Sequence, residues 1–140
     1  MIDCKCRDCG KEFDSIKQKK VYLRWETIQK YVNEFCDNLK EKPKYICGIP
    51  RGGLIIATLM SYKLDIPLIN ISDDIDFSVE DILIVDDIAD SGVTLTRFLY
   101  GKDKPFGIYT LCYKEKSRVK PQYSIPIKEK EWVVFPWEVE

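Results

Sequence analysis

Apolar residues recur at Trp25, Ile28, Val32, Phe35, Cys36 and Leu39, the spacing that gathers them on one face of a helix of about four turns. That pattern predicts an amphipathic helix over Arg24 to Leu39. Beyond it the pattern changes. "YICGI", Tyr45 to Ile49, is a short apolar run that ends at Pro50-Arg51-Gly52-Gly53, and "LIIATLMSYKL" is then long enough for a buried helix. "PLINI" reads as a second strand, "DILIVDD" as a third, "VTLTRFLYG" as a helix stopped by Gly101, and "FGIYTLCY" as a fourth strand. Strands that alternate with helices and are nearly continuously aliphatic belong to a mainly parallel sheet covered on both faces, so the fold class is α/β. The opening stretch, "MIDCKCRDCGKEFDSIKQKK", is polar and cysteine-rich and unlike the rest. It predicts an N-terminal extension over residues 1–20 and one main domain over 21–140. No internal repeat or low-complexity tract interrupts that domain.

Composition narrows the setting. The chain of 140 residues is 45% hydrophobic and 32% charged, enough for one compact core and too little for two full ones. With 22 basic and 23 acidic residues the net charge is −1, so no overall field draws in nucleic acid or an anionic membrane, and any anion site is local. No early apolar run resembles a signal peptide, and no stretch approaches the roughly 18 apolar residues of a spanning helix. The expectation is a cytoplasmic protein with no membrane partner. Histidine is absent and there are six cysteines, which in that compartment are thiols or metal ligands rather than disulfides. Chemistry then falls to carboxylates, lysines, hydroxyls and thiols.

The stretch "ILIVDDIADSGVTL", Ile82 to Leu95, concentrates such groups. In an open parallel sheet, ligands collect beyond the carboxyl ends of the strands. Asp86 and Asp87 fall at such an end, where their carboxylates are expected to meet solvent or ligand and not the core. "ADSGVT" follows as a glycine-containing turn into a helix, where backbone N–H groups and the Ser91 and Thr94 hydroxyls can surround a phosphate. Carboxylates for vicinal hydroxyls beside a phosphate cradle suit a sugar phosphate. Helix capping alone also explains an aspartate pair after a strand. A receiver domain of the response-regulator kind opens with similar residues, but too little chain follows Asp87 for one. Neither GxxxxGK[ST] nor GxGxxG is present.

"ILIVDDIADSGVT" resembles the phosphoribosyl-pyrophosphate (PRPP) motif of the type I phosphoribosyltransferases, and "GIPRGG", Gly48 to Gly53, is similar to their pyrophosphate loop. "WETIQKYV" and "YSIPIKEKEWVVFPWE" are similar to segments of the family's 6-oxopurine enzymes, of the xanthine-guanine and hypoxanthine/xanthine kind. The resemblance covers Val21 to Glu140. It implies a parallel sheet with a small hood from the terminal segments, a homo-oligomer (dimer or tetramer), and PRPP and a purine base as partners. Asp86 and Asp87 would bind the ribose hydroxyls, directly or through Mg²⁺ and its water. Ala89, Asp90, Ser91, Gly92, Val93 and Thr94 would line the PRPP site, with residues 90–94 on the 5′-phosphate. Pro50, Arg51, Gly52 and Gly53 would receive pyrophosphate, with a cis bond between Pro50 and Arg51.

Asp90 stands where the 6-oxopurine enzymes carry the acid that serves N7 of the base, so it is the candidate catalytic residue; its alternative role is an N-cap. Lys114 matches the lysine aimed at a 6-oxo group, although Lys116 would share its face in an extended segment. Trp132 matches the aromatic that stacks on the base, and Val133 offers backbone contacts. Packing is the alternative for Trp132 and the preferred reading for Trp137. Cys6 and Cys9, followed by Gly10, resemble half of a zinc ribbon, with Cys4 as a third ligand; a relic knuckle with free, oxidisable thiols is the other reading. Cys36, Cys47 and Cys112 fall in core-like segments. The implied function is transfer of phosphoribose to hypoxanthine, guanine or xanthine. A PRPP- or nucleotide-sensing regulator, or a zinc adaptor built on this scaffold, are the competitors. Relatives carry a long lid loop before the PRPP motif, whereas Asn70 to Asp81 is short and acidic, so a more open site is expected.

Overall fold

The computed structural model describes residues 18–70 and 78–138. Among them, strands and helices run β1 (Lys19–Tyr22), α1 (Trp25–Asp37), β2 (Tyr45–Gly48), α2 (Gly52–Leu64), β3 (Ile82–Ala89), α3 (Val93–Leu99), β4 (Gly107–Lys114), β5 (Gln122–Ile127) and β6 (Glu131–Val134), with a 3₁₀ turn at Val79–Asp81. The central sheet has the order β2-β3-β4-β5, and every neighbouring pair is parallel. It is the α/β architecture that the aliphatic runs predict.

Side-chain alternation gives the sheet two buried faces. Helices α1 and α2 cover one, where Ile28, Val32, Ile56 and Met60 pack on Ile46, Leu83, Val85 and Leu111. On the other, Leu95 of α3 packs with Cys47, Ile82 and Ile84. Helix α1 is amphipathic, burying Ile28, Val32 and Cys36. Helix α2 is apolar nearly all round, as befits a helix pressed on β2, β3 and α1. It stops where Asp65 turns left-handed at φ 54°, with the Ser61 hydroxyl and carbonyl both engaging Ile66. Tyr109 is fully buried in β4; its ring lies against Phe35 and its hydroxyl is 2.5 Å from Ser124 Oγ.

Three strands go beyond the apolar runs. Strand β5, "QYSIPI", pairs only with β4 among the described residues, and an edge strand needs no continuous apolar sequence and tolerates a proline such as Pro126. Strands β1 and β6 form a separate parallel ribbon with Lys20 opposite Trp132, so the two terminal segments make the hood together. Conversely, the strand expected over "PLINI" reduces to one bridge between Leu68 and Ile46. Pro67 has no N–H to donate, and its carbonyl takes the Ile46 N–H while Ile69 donates to the Ile46 carbonyl. That leaves a single rung on the sheet edge.

Cys36, Cys47 and Cys112 are all buried, and burial pushes Cys36 up to about 11 and Cys112 up to about 12. The Cys36 and Cys112 thiols are therefore protonated packing groups. Cys4, Cys6 and Cys9, and residues 71–77 of the acidic interval, lie outside the described residues. Among the described residues no helix is long and apolar enough to cross a membrane.

Leu111 has no exposed surface. We expect Leu111→Ala to lower unfolding free energy by about 2–5 kcal/mol, measured by chemical denaturation.

Candidate active site

The site begins where β3 loses one neighbour. Pairing with β2 ends at Gly48 opposite Val85, closed by a 2.8 Å bond from Ile49 N–H to the Val85 carbonyl. Pairing with β4 continues to Ala89 opposite Tyr113. The two aspartates therefore lie within the strand and not past its end. This corrects the expectation that both carboxylates stand clear of the core: Asp86 is only 7% exposed, because β4 still flanks it.

On the side that β2 vacates, the start of α2 moves in. The Pro50–Arg51 peptide is cis, as the family resemblance implies. A Cβ on Gly52 would lie 2.7 Å from the Asp87 carboxyl carbon, and one on Gly53 would lie 2.5 Å from the Val85 carbonyl oxygen. Only glycine permits this approach of loop backbone to β3.

After Ala89 the chain turns through Asp90, Ser91 and Gly92. Gly92 is left-handed at φ 84° and occupies the N-cap of α3, with no side-chain capping bond. Capping is therefore not what Asp90 does. Its carboxylate instead faces two lysines, with Lys114 Nζ 3.6 Å from Oδ2 and Lys116 Nζ 3.3 Å from Oδ1. Lys114 is buried and also donates to the Glu129 carbonyl at 3.4 Å.

These elements enclose a cleft of about 950 Å³. Its wall unites Pro50, Arg51 and Gly52 with Asp86, Asp87, the run Ala89 to Thr94, and Trp132 from the hood. Three residues expected at the site are absent from the wall. Gly53 is buried against β3, Lys114 sits behind Asp90, and Val133 is buried in the core. Along β6, alternation points Trp132 and Val134 into the cleft and Val133 away from it; that period-2 signal marks Val134, which motif matching passes over. Ile55 also lines the cleft and carries no motif signal, while Ile88, Trp137 and Glu138 line it from within the family-like segments, which by themselves give these three no role at the site. Trp137 combines both readings, since it stacks on Phe135 at 4.8 Å while facing the cavity. Glu138 accepts a bond from the Phe135 N–H at 3.2 Å.

Electrostatics single out the aspartate pair. Burial, then the charge of Asp87, push Asp86 up to about 8, and burial raises Asp87 also. Asp86 Oδ1 accepts the Asp87 N–H at 2.9 Å, and Asp87 Oδ1 accepts the Ile88 N–H at 2.8 Å. A buried and a half-buried carboxylate side by side are hard oxygen donors short of positive charge, a set that fits Mg²⁺. Among the described residues no cluster of three or more acidic, cysteine or histidine side chains could hold a metal. A magnesium ion here would accordingly share its sphere with substrate oxygens and water, its usual habit at phosphate sites.

A glycine-bearing loop, an acidic strand and a phosphate-sized turn around one cleft define a class, and sequence comparison gives it a name. Residues 69–140 match the phosphoribosyl transferase domain, and the chain belongs to that family of enzymes. It is similar to the crystal structure of purine phosphoribosyltransferase from Pyrococcus horikoshii, with 33% identity, a TM-score of 0.74, and coverage of 86% of this chain and 95% of that one. It also resembles the xanthine-guanine phosphoribosyltransferases of Vibrio parahaemolyticus, 25% identical over 86% of this chain and 90% of the relative, and of Chromohalobacter salexigens, 24% identical over 84% and 83%.

The raised Asp86 sets a pH dependence. The native state keeps its proton up to about 8, whereas the ordinary value is 3.8. Between those values the folded chain binds more protons than the unfolded one, so this group's contribution is complete below about pH 4 and is lost as pH rises. We expect Asp86→Asn to be about 1–3 kcal/mol more stable than the parent at pH 8 and equal to it near pH 4, in urea unfolding at both values.

Proposed function

We propose that the enzyme transfers phosphoribose from PRPP to a 6-oxopurine, giving a nucleoside 5′-monophosphate and pyrophosphate. The observation that carries the choice of base is the Asp90–Lys114 pair, an acceptor on the cleft wall and a donor 3.6 Å behind it. On a 6-oxopurine, O6 and N7 are neighbours on one edge. A protonated N7 can donate to the carboxylate while O6 accepts from the ammonium. Adenine offers an amino group at C6, a donor facing a donor. The names of the purine and xanthine-guanine relatives support the same reading.

In this reading Trp132 stacks on the base, with Val134 and Trp137 completing an apolar slot. Asp86 and Asp87 accept hydrogen bonds from the ribose hydroxyls. The turn from Asp90 to Thr94 holds the 5′-phosphate through backbone N–H groups at the start of a helix and through the Ser91 and Thr94 hydroxyls. Arg51 and the loop from Pro50 to Gly53 receive the departing pyrophosphate. Asp90 takes up the N7 proton as N9 attacks C1′, which raises the nucleophilicity of the base. Mg²⁺ held by Asp86 and Asp87, directly or through water, would supply positive charge against the leaving group when bound. We take the working enzyme to be a cytoplasmic dimer or tetramer, as the resemblance implies; light scattering measures its mass.

The test is incubation with PRPP, Mg²⁺ and each base in turn. Hypoxanthine, guanine or xanthine should yield nucleotide and pyrophosphate, and adenine should not; efficient use of adenine or orotate overturns the base assignment, and nucleotide binding without turnover on any base favours a sensor. Asp90→Asn should lower kcat by about 10²-fold with little change in KM, because an amide can hydrogen-bond but cannot accept the proton. Asp87→Ala and Thr94→Ala should each weaken nucleoside monophosphate binding in calorimetric titration, and unchanged affinity in both would remove the ribose phosphate site from this cleft.

A further inference from the structure

We propose that Lys116 is a positioning residue for the transfer reaction, keeping the Asp90 carboxylate paired while Lys114 turns to the base. The inference rests on the 6-oxopurine reading of the site.

The loop after β4 grips the catalytic turn residue by residue. Lys116 pairs with Asp90, the Arg118 N–H donates to the Ser91 carbonyl at 3.0 Å, and Gly92 is pressed so close that a Cβ would lie 2.8 Å from the Arg118 nitrogen and 2.9 Å from Ser117 Oγ. Ser117 is itself buried and donates to the Val119 carbonyl at 2.8 Å, which fixes the loop's shape. The two lysines on Asp90 differ in setting. The Lys114 side chain is 4% exposed, and that of Lys116 is 45% exposed.

To donate to O6, Lys114 must loosen its hold on Asp90 Oδ2. The other oxygen, Oδ1, is shielded from solvent and has no hydrogen-bond partner among the described residues; the nearby Lys116 ammonium faces it by charge, 3.3 Å away. Without Lys116 the carboxylate would meet the base with neither lysine on it, and with the acidic side chains of Asp87 and Glu138 in the same cleft. An unpaired, partly desolvated carboxylate is costly and free to swing from the geometry that proton transfer requires. Both lysines stand off the cleft wall; in this proposal Lys114 turns to the base, while Lys116 stays on Asp90 Oδ1 and acts through that carboxylate.

Steady-state kinetics of the full chain with PRPP, Mg²⁺ and hypoxanthine test this. Lys116→Met should lower kcat about tenfold, with the KM for PRPP within about twofold of the parent and an unchanged melting temperature. Lys116→Arg should restore kcat to within about threefold. In an Asp90→Asn background, Lys116→Met should cost nothing further, since the carboxylate it serves is gone. Full activity of Lys116→Met beside an impaired Asp90→Asn overturns the proposal alone, as does a second tenfold loss when both changes are combined. Full activity of Asp90→Asn on hypoxanthine, guanine and xanthine overturns the base-site reading, and this proposal with it.

Discussion

The structure depends on a mismatch in length between the two neighbours of β3. Strand β2 ends its pairing opposite Val85 while β4 runs on to Ala89, so for four residues β3 has a paired edge and a vacated one. Backbone groups on a vacated, buried edge must be satisfied or closely covered. The turn from Ile49 to Gly53 does the covering, and it can approach only because Gly52 and Gly53 lack side chains. The cleft, the aspartate pair in its floor and the loop opposite are all consequences of that one early ending.

The same arrangement makes the site electrostatically expensive. Carboxylates placed where a strand is still packed on one side lose hydration, and neither has a cation beside it among the described residues, hence the upward shifts of Asp86 and Asp87. The fold tolerates this because its apolar core lies elsewhere, on the two sheet faces below the site. A ligand that brought hydroxyl donors, or positive charge, to this pair would relieve the cost on binding.

Closure of the site is a matter of long-range pairing. Trp132 and Val134 reach the cleft because β6 is held in register by β1, with Lys20 opposite Trp132 and Tyr22 opposite Val134. Strand β1 thus sets the position of the wall that β6 supplies. The turn through Asp90, Ser91 and Gly92 is likewise held from outside, by the loop that follows β4, and its conformation is a property of the packed pair and not of the turn alone.

Much of this was legible along the chain. Continuous aliphatic runs need burial on both faces, so "ILIVDD" and "IYTLCY" disclose a parallel sheet, and the 25, 28, 32, 36 spacing discloses the face of α1. The motif residues Arg51, Gly52, Asp86, Asp87 and Asp90 to Thr94 disclose the cleft, because a glycine-rich turn and paired acids have few other uses together. What stayed hidden depends on partners distant in sequence. That "PLINI" makes one rung, that "QYSIPI" is an edge strand, and that Asp86 is buried all follow from which strand lies alongside, and local pattern does not encode a neighbour's length. Nor does it encode that Lys114 and Lys116 close on one carboxylate, or that Val133 turns inward while Val134 and Trp137 line the cleft. Sequence determined which groups are available for chemistry and which stretches must be covered; tertiary structure decided what each of them faces, because burial and charge pairing exist only once remote segments meet.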